Sequence, residues 1–273
     1  MRVVFICHRV RRDSGRLMFA TYYPERFSGY REALVQRSEL RASPASGRVI
    51  AGPDLLDPEI LRLLLDRFAR AQGLSDPRAI ATQWSKHYLS RLIISVVIIE
   101  LRLDRHLPMA LDELDIAFDE CGIATAFGLT HAGTRSLDNG CARFCSLISA
   151  HLTPLIATLA RQVRLSPRVL WSNAAGYFEF VVGALEELDD ISEWQLSGAR
   201  EVLQRRWLPD RQRNPFYQPV EYIDTVNESG EPTVWRCRRM CCMRYLDESL
   251  GECGNCPRLK RRQTAEDRQA ATT

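Results

Sequence analysis

A chain of 273 residues allows one large domain or two small ones, and 45% hydrophobic residues can fill a core. Its 37 basic and 34 acidic residues leave a formal charge of +3, which argues neither for nor against nucleic acid. The longest apolar run, residues 92–99, is broken by Ser95 and closed by Glu100, short of the roughly 20 residues a membrane span needs. Nine cysteines cannot all pair, so a reducing compartment and a cytoplasmic location are expected.

Residues 1–6 and 16–23 read as short strands around a charged turn at 11–15, and Val3 to Cys7 is too short for a signal-peptide core. Residues 41–53 carry Ser43-Pro44, Ser46-Gly47 and Gly52-Pro53 and predict a loop. After Asp57-Pro58, Leu61, Leu64, Leu65 and Phe68 recur at helical spacing, with Gly73 as the stop. Ser75-Asp76-Pro77 opens a second helix that runs into the apolar residues 89–101 at the centre of the fold. Alternating Leu114, Ile116 and Phe118, a Cys121-Gly122 turn and residues 123–129 predict a hairpin, followed by a polar turn at 136–140. Three more helices are expected at about 141–163, 166–187 and 192–207, the last opened by the capping-box pair Ser192 and Gln195. Prolines 209, 215 and 219 then give an extended linker. Residues 220–226 and 233–237 suggest a small hairpin across Glu228-Ser229-Gly230, and the residues beyond Lys260 read as a disordered tail. The expected class is α+β, predominantly helical with short strand pairs. A mainly helical domain spans 1–208, a small cysteine module 209–260 and a tail 261–273.

Several side chains invite a role. Cys141 and Cys145 share a face if their segment is an α-helix, with His151 on the same element, but small cysteines on an apolar face more often simply pack. His87, flanked by Trp84 and Tyr88, either lines a cleft or packs with one nitrogen satisfied. Asp115, Asp119 and Glu120 read as the solvated face of the hairpin. No Walker, Rossmann or nucleophile-elbow pattern is present, so nucleotide, flavin and hydrolase signatures are missing as motifs.

The densest chemical signal lies near the C-terminus, where Cys241-Cys242 is followed by Cys253-x2-Cys256. Four thiols so close in sequence lower the loop-closure entropy of gathering them, and Gly254-Asn255 suits the tight turn of a C-x2-C. The quartet suits a four-thiolate zinc site or an iron–sulfur cluster, and density favours either over disulfides or unrelated thiols. Adjacent cysteines point to opposite faces of an extended segment, so one metal needs a bend between them, whereas two irons offer separate attachment points. Arg236, Arg238, Arg239, Arg244, Arg258, Lys260, Arg261 and Arg262 surround the quartet. These cations either attract an anionic partner or balance the thiolates.

The spacing C-C-x10-C-x2-C-P, with Arg239 before the pair and Tyr245 after it, resembles the FhuF-type siderophore-bound ferric iron reductases. The stretch PMALDELDIAFDECGIATAFGL is similar to that family's central strand pair, and LWSNAAGYFEFVVGAL to its Trp-x-Asn helix. The first twenty residues match nothing in it, and Cys237 is additional to the quartet. The resemblance implies a C-terminal [2Fe–2S] cluster ligated by Cys241, Cys242, Cys253 and Cys256. It also implies one-electron reduction of a ferric siderophore, of hydroxamate type among others, to release ferrous iron. An unidentified electron donor, no nucleic acid, and peripheral contact with the inner membrane or a siderophore importer complete the expected partners. Such chemistry needs no nucleophile and no general base. Rival readings are a zinc-stabilised module contacting nucleic-acid phosphates, a siderophore-synthesising ligase lacking any visible ATP loop, and an electron carrier not specific for siderophores.

Overall fold

A computed structural model describes residues 19–42, 47–135, 141–208, 211–227 and 229–260. The fold is α+β, as expected. The strand expected at 1–6, the first residues of the one at 16–23, the turn at 136–140 and the tail at 261–273 lie outside the described residues.

The helices follow their start and stop signals. In α2 (Pro58–Gln72), the Asp57 side chain accepts from Glu59 N, Pro58 takes the first position and Gly73 ends the helix at φ +65°. Its Leu61, Leu64, Leu65 and Phe68 are buried. Asp76 caps α3 (Pro77–Arg102) by accepting from Arg78 N and Ala79 N. From Leu92 to Leu101 every residue of α3 is buried, so the helix is the axis of the domain and needs no polar face. Helices α5 (Pro167–Glu186) and α6 (Glu193–Gln204) pack against it, α6 with the full capping box of Ser192 and Gln195, while α4 (Thr153–Gln162) packs on α5 and α2.

The predicted hairpin is β4 (Leu114–Phe118) against β5 (Ala124–Leu129), and Gly122 makes its turn at φ +77°. It forms the middle of a four-stranded sheet, with β1 (Leu34–Gln36) parallel beside β5 and β2 (Arg48–Ala51) antiparallel beside β4. Two short strands, β3 (Arg105–His106) and β6 (Thr134–Arg135), pair separately. A short helix, α1 (Arg37–Ala42), crosses the outer face so closely that a Cβ at Gly128 would stand 2.8 Å from Leu40 Cδ2.

Four expectations are corrected. Ala20–Tyr22 is a 3-10 turn and not a strand. The loop expected over 41–53 contains β2 and the start of a 3-10 turn, Gly52–Leu56. The single helix expected at 141–163 is a 3-10 turn (Cys141–Phe144), a π-helical stretch (Ser146–Leu152) and then α4. Asp115 is not solvated. It is 1% exposed and held under α1 by Arg37 (Nη2 to Oδ1, 2.7 Å) and Arg41 (Nη2 to Oδ1, 3.1 Å). Helix α1 has no apolar periodicity to announce it, and it turns the solvent side of the sheet into an interior.

The stretch Ala142–Gln162 is long and apolar enough to cross a membrane by composition. Here Phe144, Leu147, Leu152, Leu155, Ile156 and Leu159 are buried in the core.

Candidate functional site

The chain leaves the helical body along β7 (Val220–Val226), returns along β8 (Pro232–Arg238), and delivers the cysteines at the end of β8. Cys241 and Cys242 follow at once. Met243 then takes the left-handed conformation at φ +56°, turning the chain just after the vicinal pair. A 3-10 turn (Arg244–Leu246) and Gly251 at φ +59° bring the chain back to the C-x2-C, which Cys256 N closes on Cys253 O at 3.0 Å. β8 holds this turn by Arg238 N to Asn255 O (2.9 Å) and Trp235 Nε1 to Gly254 O (2.7 Å).

The four thiols meet as two pairs. Cys241 Sγ lies 3.9 Å from Cys256 Sγ, and Cys242 Sγ lies 3.8 Å from Cys253 Sγ. Cys242 and Cys256 are buried, and Cys241 and Cys253 are partly exposed. Among the described residues, no three His, Cys, Asp or Glu side chains gather closely enough to hold a single metal ion. Cys237 is buried nearby, its thiol donating to the Arg238 carbonyl at 3.6 Å, and burial pushes that thiol up.

One contact to the quartet comes from far away in sequence. Lys86 Nζ, on α3, donates to Cys242 Sγ at 3.0 Å. The neighbouring Cys253 sulfur, together with the charges of Lys86 and Arg238, draws the Cys242 thiol below its ordinary range despite its burial. Its Cys242 neighbour, and then burial, push Cys253 up, while burial raises Cys241. Lys86 was not legible as a site residue. The available signal was rarity, since Lys86 and Lys260 are the two lysines among 37 basic residues.

The arginines around the quartet stitch the segment together. Arg236 reaches Glu179 (Nε to Oε2, 2.9 Å) and the Gly176 carbonyl on α5 (2.7 Å). Arg238 donates to Asn173 Oδ1 (2.6 Å) and Ser172 Oγ (3.1 Å). Arg239 and Arg244 bond the Val220 and Leu250 carbonyls. Arg258 pairs with Glu252 at 3.0 Å and lies over the Tyr245 ring at 3.8 Å, while Lys260 pairs with Glu221 at 2.8 Å. The patch is therefore largely engaged from within. Arg261 and Arg262 lie outside the described residues.

Two features dock the cysteine segment on the helical body. Asp247 accepts from Ser75 N (2.7 Å) and Asp76 N (3.3 Å) where α3 begins, and these bonds and those from Ser249 hold its carboxyl below the usual range. Asn173, the Asn of the Trp-x-Asn stretch, joins Arg238 to α3 by donating to Ser85 Oγ (3.0 Å) and Thr82 O (3.3 Å).

The other candidates stand apart. His151 is wholly buried between Tyr88 OH (2.7 Å from Nε2) and the Met109 carbonyl (2.8 Å from Nδ1), and burial lowers it to about 4. Cys145 is exposed while His151, on the same segment, is wholly buried, so the two do not form one site. His87 packs edge-on to Phe68, and burial lowers its pKa.

With this geometry in view, likeness to known proteins is informative. The family model described as ferric iron reductase FhuF-like transporter matches residues 82–227, which include Lys86 and Asn173 and stop short of the cysteine quartet. A ferric siderophore reductase of Escherichia coli (strain K12) is 21% identical over 239 residues, covering 83% of this chain and 86% of the relative. More than half of the chain lies within the family match, and the protein belongs to the FhuF-like ferric iron reductase family.

Proposed function

We propose that this chain reduces ferric siderophores by one electron, using a [2Fe–2S] cluster held by Cys241, Cys242, Cys253 and Cys256. The observation that carries the cluster assignment is the pairing of the sulfurs. Two thiolates on one tetrahedral metal, with bonds of about 2.3 Å, stand about 3.8 Å apart. The pairs at 3.9 and 3.8 Å, with no third ligand gathered to either among the described residues, suit two metals, one for each pair, better than a single four-thiolate ion. Family membership supports the reductase reading, and the name of the curated relative supports a siderophore as the carrier of the ferric iron.

When bound, the cluster supplies a carrier for single electrons. The chain's own residues do the rest. Cys242 and Cys256 are shielded from water, while the partly exposed Cys241 and Cys253 offer an edge a chelate can approach. Siderophores bind ferric iron through hard oxygen donors, which hold the ferrous ion far less strongly, so one electron makes the complex labile. A helical body up to residue 208 and a cysteine module over 209–260 divide the work, the body placing the chelate beside the sulfurs. Cys241, Cys242, Cys253 and Cys256 form no disulfide, which supports the reducing cytoplasm as the working compartment.

The test is spectroscopic and chemical. Freshly purified protein should show visible absorption that bleaches with dithionite, and an anaerobic ferric siderophore should restore it while a ferrous-specific chelator captures iron. Serine at Cys242, Cys253 or Cys256 should abolish or strongly shift the spectrum, and Cys237→Ser should retain it. A colourless zinc protein would overturn the cluster. Reoxidation by a ferredoxin-like partner but by no ferric siderophore would leave a plain electron carrier.

A further inference from the structure

We infer that Lys86 sets the reduction potential of the cysteine site, its ammonium favouring the reduced state through the hydrogen bond to Cys242. The inference rests on the cluster assignment proposed above and adds to it a residue 156 positions from its sulfur partner. Three observations carry it.

The first is the contact, 3.0 Å from Nζ to Sγ, with the sulfur buried and Lys86 itself partly buried. Shielding from water keeps such a charge effective, because the local dielectric is low. The second is rigidity. Lys86 extends from α3, the buried axis of the domain, between the anchor at Ser75 and Asp76 and the apolar stretch that begins at Leu92. The ammonium is therefore placed by the core rather than by a loop. The third is the choice of residue. In a chain that uses arginine almost throughout, one of two lysines stands here. A compact ammonium concentrates its charge on one atom, whereas a guanidinium spreads it over a plane suited to carboxylates.

Reduction adds one electron to the site, so its sulfurs become more negative. A donor already aimed at a sulfur then binds more strongly, and the reduced state is favoured. Arg238, fixed by Ser172 and Asn173, adds a second buried cation near the same pair of sulfurs. The positive charge thus gathers at Cys242 and Cys253.

The experiment is a redox titration of the full-length, cluster-loaded protein, followed by absorption, for wild type, Lys86→Met and Lys86→Arg. Lys86→Met should lower the equilibrium constant for reduction at least tenfold, a fall of about 59 mV for a one-electron couple. Lys86→Arg, which keeps the charge but spreads it, should recover only part of that loss. A second measurement needs no substitution near the site. Wild type grown with nitrogen-15 lysine carries two labelled residues, and pulsed electron paramagnetic resonance of its reduced form should detect one of them. The signal should persist in Lys260→Arg. An intact visible spectrum with an unshifted potential in Lys86→Met overturns the role of Lys86 alone, as does the absence of lysine coupling in coloured wild type. A colourless wild type instead removes the cluster assignment, and this inference with it.

Discussion

Replacing Glu100 with glutamine should stabilise the fold at neutral pH and change little in mild acid. Glu100 is 1% exposed in the middle of the buried part of α3. Its Oε1 accepts from Leu107 N at 3.0 Å, its Oε2 has no partner, and burial pushes the carboxyl up to about 8. A carboxyl raised in the fold contributes stability below its unfolded pKa and loses it as pH rises toward the folded value. Between pH 4.5 and pH 7 the loss is about 2 pK units, or about 3 kcal/mol at 1.36 kcal/mol per unit. Glutamine keeps the acceptor for Leu107 N and cannot ionise. His151 runs the other way. Its pKa is depressed to about 4, so its contribution is present above about 6.5 and falls by about 2 kcal/mol between pH 7 and pH 4.5. In the wild type these two buried groups nearly offset each other, so a pH scan of the wild type alone hides both. Urea unfolding followed by far-ultraviolet circular dichroism, wild type against Glu100→Gln, isolates the carboxyl. The variant should gain about 3 kcal/mol at pH 7 and well under 1 kcal/mol at pH 4.5. An equal gain at both pH values would mean that packing rather than ionisation was at work, and no gain at pH 7 would refute the reasoning outright.

Tyr88→Phe should cost about 1–3 kcal/mol in the same assay, because the fully buried His151 Nε2 loses its hydroxyl donor with no water to replace it. Asp247→Ala should free Ser75 N and Asp76 N and loosen the cysteine segment from α3. Limited proteolysis should then cut within residues 239–260 sooner than in wild type while helicity is unchanged, and equal cutting rates would count against the docking role.

What could be read from the sequence is what local chemistry dictates. Asp57-Pro58, Asp76-Pro77 and Ser192 announce helix starts because caps and prolines act within a few residues. Leu114, Ile116 and Phe118 announce a strand because pleating alternates side chains. The quartet was legible because its members are neighbours in sequence. The three-residue β1 and the four-residue β2 are too short for alternation to register, and each is fixed by a partner far along the chain. Asp115 misled for a related reason, since its polarity implies water and gives no sign that Arg37 and Arg41 arrive from α1. The π-helical stretch at Ser146–Leu152 changes the period of its segment, which defeats any argument from a spacing of four. Lys86 was invisible for a still simpler reason: nothing local ties it to Cys242.

The sheet's connectivity bears on how the chain is made. Leu34 pairs with Phe127 and Arg48 with Phe118, so β1 and β2 leave the ribosome well before β4 and β5 exist to receive them. At roughly 5–20 residues per second that wait lasts several seconds, during which two strand edges have no neighbour. The cysteines emerge later still, after α3 and α5 are complete, and the surface that Lys86, Ser75 and Asn173 present to them already stands. Nascent-chain order thus makes docking of the cysteine segment the closing event of folding, performed against a body already built.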